Sequence, residues 1–260
     1  MSAGGPSALF ELSLDPKLAW YLTRASGLVL LVLLTVAVLL GVGSRLGAAG
    51  GRVPRFVATD LHRRISLLAT AFLGLHIATS IADSWATITW LDAVVPFVGS
   101  YRPVWLGLGT LAVDLLLAVV VTSLLRHRLG PRSWRAVHLL AYAAWPVAVL
   151  HGLGTGSDTQ RSWVLVLTLG CVGAVLLALG RRLLPLPLPP HAHHGSLEAN
   201  RPRSRALHGG LGRGMRWLVA VVVLPLVPLA LAAWALDGPL APGWGQRAGT
   251  PPPPAAGSAP

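Results

Sequence analysis

Apolar runs of about twenty residues alternate along this chain with short stretches rich in arginine, proline and glycine. Six runs stand out, near 18–42, 61–81, 104–125, 134–153, 163–183 and 215–235. A helix rises about 1.5 Å per residue, so about 20 apolar residues cross the roughly 30 Å hydrocarbon layer of a bilayer. No alternation of the outer-membrane barrel kind occurs between the runs. The pattern predicts an all-α integral membrane protein, a six-helix bundle. It divides into an N-terminal segment at 1–17, a core at 18–184, a loop at 185–214, one more spanning helix at 215–236 and a tail at 237–260 that ends in proline, glycine and alanine.

Composition agrees with that reading. The chain is 53% hydrophobic and 12% charged, with a mean hydropathy of +0.64, which excludes an ordinary soluble domain. Its net charge of +12 lies in clusters between the runs and not on one polar face, so a nucleic-acid partner is not expected. Three connectors are rich in arginine: Arg45, Arg52 and Arg55; Arg126, Arg128, Arg132 and Arg135; and Arg181 to Arg216. The alternate connectors carry little positive charge. The positive-inside bias then puts the arginine-rich loops in the cytoplasm and both termini outside, and the excess of arginine over the single Lys17 suggests a GC-rich bacterial genome and hence a bacterial inner membrane. Trp20, Trp85, Trp90, Trp105, Trp163 and Trp234 fall at outer ends, and Trp134 and Trp217 at inner ends, as an interfacial belt would. Glu11 and Asp15 precede the first run, so a cleaved signal peptide is not expected. The single Cys171 excludes an internal disulfide and a Cys-ligated cluster within one chain.

The candidate chemistry lies in four histidines. His62 and His76 are 14 residues apart on the second span, and His138 and His151 are 13 apart on the fourth. Under the topology above these two spans run parallel, with His62 and His138 at the inner level and His76 and His151 at the outer. A polar side chain at membrane depth is costly and normally paired or functional. Neutral imidazole is a good axial ligand for haem iron, and two histidines at one depth on neighbouring helices can clamp one haem. The helical phase returns His76 to within about 40° of His62, but leaves His151 about 140° from His138 on an ideal helix. Pro146, between the last two, is the expected correction, since an interior proline bends a helix.

Paired histidines at these gaps on alternate helices, with WYLTRASGLVLLVLL opening the first span and LHRR opening the second, resemble the ferric reductase-like transmembrane domain over about residues 18–184. That superfamily includes NADPH oxidases, yeast-type metalloreductases and the haem subunit of the bacterial methionine-sulfoxide reductase system. The resemblance implies two stacked b-type haems between the second and fourth spans, each bis-histidine: His62 with His138, and His76 with His151. It implies electron transfer across the bilayer, as an oxidoreductase component. No GxGxxG fingerprint follows the fifth run, so the donor is expected to be a separate flavoprotein or a quinol, and the acceptor a partner such as an extracytoplasmic reductase. A quinone or a partner-held flavin is a further candidate cofactor.

Arg63, Arg64 and Arg135 flank the inner level and either pair with haem propionates or simply set topology. Arg24 is placed to serve the outer haem, with Arg161 a weaker candidate. Asp114, an acid inside the third span, is either a proton relay or quinone contact, or a protonated carboxyl bonded to a neighbouring helix. With the histidines it supports an alternative reading as a proton- or metal-ion-translocating transporter. Tyr142 and Trp145, between the two levels, read as packing or as part of an electron path. His191, His193 and His194 form a cluster in a proline-rich loop that reads as solvated.

Overall fold

The computed structural model describes residues 16–46, 54–83, 86–156, 158–159 and 161–183. The expected sixth span at 215–236, the loop before it, the tail at 237–260 and most of the segment at 1–17 lie outside these residues. Among those described there are helices and turns but no strands. The helices are α1 (Pro16–Leu46), α2 (Arg55–Ala82), α3 (Trp90–Val94), α4 (Pro103–Leu124), α5 (Arg126–His138), α6 (Ala141–Thr155) and α7 (Ser162–Leu183). Four of them, α1, α2, α4 and α7, are long and apolar enough to cross a membrane; α5 and α6 together make a fifth, bent by 42°. This is a multi-pass membrane protein.

Two expectations are corrected here. The run at 134–153 is not one helix: α5 ends at His138 and α6 begins at Ala141. The connector at 126–135, expected as a loop, is itself helical, interrupted only at Gly130, whose φ of 71° lies in the left-handed region ahead of Pro131. The short α3 was not expected either. Its cause is local: Thr89 and Asp92 form a capping box, the Asp92 carboxylate taking the Thr89 backbone N–H at 2.8 Å. The Thr110 hydroxyl then donates to the Asp92 carbonyl at 2.6 Å, which ties α3 to α4.

Large apolar side chains such as Leu67, Leu75, Leu117, Val166, Leu169 and Leu177 face outward, as lipid contact requires. The packed interior is small: Val42, Trp145, Val149, Cys171, Val175 and Leu179, from α1, α6 and α7. The Trp145 indole N–H donates to the Thr35 hydroxyl at 3.0 Å, so this tryptophan joins α6 to α1 between the two histidine levels and packs there. Trp105 also departs from the belt expected of it. It is 3% exposed and lies flat against Gly154, where any side chain would enter its ring. Gly154→Ala is therefore expected to lower stability by about 1–3 kcal/mol through overpacking of α4 on α6, measurable as an earlier unfolding transition in detergent.

Candidate functional site: two histidine pairs at two depths

α1 and α2 run antiparallel, and their register carries the first two histidines. A Cβ added at Gly27 would lie 3.1 Å from His76 Cε1, and one at Gly41 would lie 3.5 Å from His62 Cε1. His76 Nδ1 lies 3.0 Å from the Thr23 carbonyl oxygen, and His62 Nδ1 lies 2.9 Å from that of Ala37. Both glycines and both carbonyls are 14 residues apart on α1, matching the histidine gap on α2. His151 repeats the arrangement from α6: its Nδ1 lies 2.8 Å from the Trp105 carbonyl oxygen on α4, and its ring lies over Gly109. A carbonyl only accepts, so each Nδ1 carries the proton and each Nε2 keeps its lone pair.

The rings meet as level-by-level pairing requires. The centroids of His62 and His138 are 6.1 Å apart at an interplanar angle of 74°, and those of His76 and His151 are 6.3 Å apart at 83°. Thr35 on α1 meets Trp145, and Arg24 meets Asp158 just beyond α6, so α6 runs antiparallel to α1 and parallel to α2.

The 13-residue phase mismatch is absorbed at Leu139–Leu140 and not at Pro146, which stays inside a continuous α6. Across the break Leu140, Tyr142 and Ala143 donate to carbonyls three residues back, at 2.9, 3.0 and 2.9 Å. A residue in such a 3₁₀ turn advances about 120° instead of about 100°, so each one reduces the mismatch of about 140° by about 20°. His138 consequently has different surroundings from the other three. It closes α5, with the Trp134 ring 5.2 Å away at 30°.

A cavity of about 260 Å³ opens at the outer pair. Its walls include Trp20, Thr23, Arg24, His76, Tyr101 and His151. Arg24 lies 3.8 Å over the Trp20 ring and donates to Asp158 at 2.9 Å, and Asp158 also holds Arg161 at 3.0 Å. The Trp20 indole N–H and the Thr23 hydroxyl are buried with no hydrogen-bond partner among the described residues. Burial raises the Tyr101 hydroxyl above the usual phenol range against the pull of Arg102 and Arg24, so it stays a neutral donor.

The inner-level arginines divide. Arg64 is exposed and bound to Asp60 at 2.7 Å, Arg63 is exposed, and Arg135 is half-buried in the last turn of α5. Asp114 is half-buried and lies outside the cavity lining. No group of three or more His, Cys, Asp or Glu side chains gathers among the described residues. Sequence reasoning missed Gly41, Trp20 and Thr23 as site residues. The equal 14-residue gaps on the first two spans were the available signal for Gly41.

Residues 26–149 match the family model of the ferric reductase like transmembrane component. The match contains His62, His76 and His138 and stops two residues before His151. No curated protein and no solved structure matches the chain.

Proposed function

Residues 26–149 belong to the ferric reductase-like transmembrane family, and from that premise we propose that this membrane electron-transfer component is a di-haem cytochrome b. His62 and His138 hold an inner haem, and His76 and His151 an outer one. The observation that carries the reading is the spacing of the rings. An imidazole nitrogen binds a transition metal at about 2 Å, so two rings sharing one ion, each centre about 1 Å behind its nitrogen, stand about 6 Å apart. The centroid separations are 6.1 and 6.3 Å. Two nitrogens alone leave a bare zinc two ligands short, whereas a porphyrin iron brings four nitrogens of its own and would need only the two imidazoles.

When bound, haem supplies the one-electron chemistry. The chain's own residues orient and tune. Carbonyls of Thr23, Ala37 and Trp105 hold the proton on Nδ1 and leave the Nε2 lone pair available to a ligated iron. At the outer mouth Arg24, Trp20 and Thr23 offer donors to propionates. At the inner level Arg135 fits that role better than Arg63 or Arg64, whose exposure suits topology. Electrons enter from a cytoplasmic flavoprotein or a membrane quinol and leave to an acceptor outside, such as a separate extracytoplasmic reductase. In this reading the protein sits in a bacterial inner membrane with the arginine-rich loops in the cytoplasm.

The test is a reduced-minus-oxidised spectrum of the purified full-length chain with a haem count. Two haems per chain are expected. One would remove a pair and keep the family. A colourless protein from haem-replete cells would end the reading and favour a proton or metal-ion path through the histidines and Asp114.

A further inference from the structure

Resting on the di-haem reading, we propose that Gly27, Gly41 and Gly109 are positioning residues for His76, His62 and His151, each acting with the carbonyl four residues before it. The observation is a unit used three times: Thr23 with Gly27, Ala37 with Gly41, and Trp105 with Gly109. Residues four apart lie one above the other on one face of a helix. A glycine at the second position leaves the first carbonyl uncovered toward the neighbouring helix. The imidazole edge, Nδ1 and Cε1, then lies over the glycine and Nδ1–H reaches the carbonyl. Two of the units stand on α1 and serve α2; the third stands on α4 and serves α6.

The three clearances differ, and this sets the sizes of the effects. A methyl at Gly109 would enter the His151 ring, one at Gly27 would stand 3.1 Å from His76, and one at Gly41 would stand at an ordinary 3.5 Å from His62. A displaced ring loses its Nδ1–H bond, its tautomer control and part of its basicity toward iron. Loss of such an outer-shell partner typically weakens metal binding about 10- to 100-fold. His138 lies outside the scheme. No glycine among the described residues has the His138 ring among the nearest neighbours of its added methyl. The outer haem therefore has two cradled ligands and the inner haem one.

The experiment uses the full-length haem-loaded protein and four variants: Gly109→Ala, Gly27→Ala, Gly41→Ala and, as a control, Gly74→Ala, which has nothing within 4 Å of its added methyl. Two readouts are taken, the low-spin ferric EPR signal of each haem and the rate of haem loss to excess apomyoglobin. Gly109→Ala is expected to shift the outer signal alone and to speed release of that haem by about tenfold or more. Gly27→Ala acts on the same haem less strongly, Gly41→Ala acts weakly on the inner haem alone, and Gly74→Ala changes neither. If Gly109→Ala fails to accumulate, Gly27→Ala decides. Unchanged signals in the clashing variants, or equal disturbance of both haems, would overturn the proposal and leave the di-haem reading standing. A wild-type protein without haem sinks both.

Discussion

If the two pairs hold haems as proposed, His151→Ala is expected to take the protein from two haems per chain to one, with loss of about half the low-spin absorbance. The histidine donates its Nδ1–H to the Trp105 carbonyl, and its ring centroid lies 6.3 Å from that of His76. No other histidine among the described residues lies at that level to replace it. His76→Ala has the same result from the other side, and the double variant is no worse than either single one, because the pair acts as a unit. His62→Ala removes the inner haem and leaves the outer signal in place. Haem counting and EPR on the purified variants measure all four outcomes. A His151→Ala protein that keeps two low-spin haems would show that the outer ring pair is not an axial pair.

Asp158→Asn has the second large effect, on stability and on the outer site together. Its carboxylate joins Arg24, 19% exposed, to Arg161, 67% exposed. The variant leaves the guanidinium of Arg24 on the cavity wall without its counter-charge. A hydrogen bond to a charged group is worth about 1.5–3 kcal/mol, so a loss of that size is expected in chemical denaturation. Arg161→Ala removes the solvent-facing half of the network and costs less than about 1 kcal/mol. The uncompensated positive charge also favours the reduced form of a haem beside it. On the di-haem reading, the midpoint potential of the outer haem is expected to rise while that of the inner one holds, and a redox titration of both bands separates the two.

The apolar runs gave the spans on α1, α2, α4 and α7 to within a few residues, because lipid imposes length and hydropathy directly. The pairing of the histidines by depth was also readable, since helical rise converts a gap of 13 or 14 residues into a distance. The break after His138 was not. It falls at Leu139 and Leu140, two good helix formers, and only the 3₁₀ bonds around them mark it. Pro146 drew attention as a strong breaker and is carried inside α6. The first part of α5, before Trp134, reads as a connector because its arginines interrupt the apolar pattern and mask a helix. Trp105 read as an interfacial anchor because its partner, Gly154, lies 49 positions away in the chain and comes close only through the α4–α6 contact.

The register of α1 against α2 has a mechanical consequence. The same rod presents both of its carbonyls to both rings of α2, so a slide of one rod along the other carries the two rings with it. If the two pairs hold haems as proposed, the distance of the electron hop from one level to the next is ruled by this pair of stiff rods, about 21 Å of rise for 14 residues. Insertions or deletions in the connectors leave that hop unaltered.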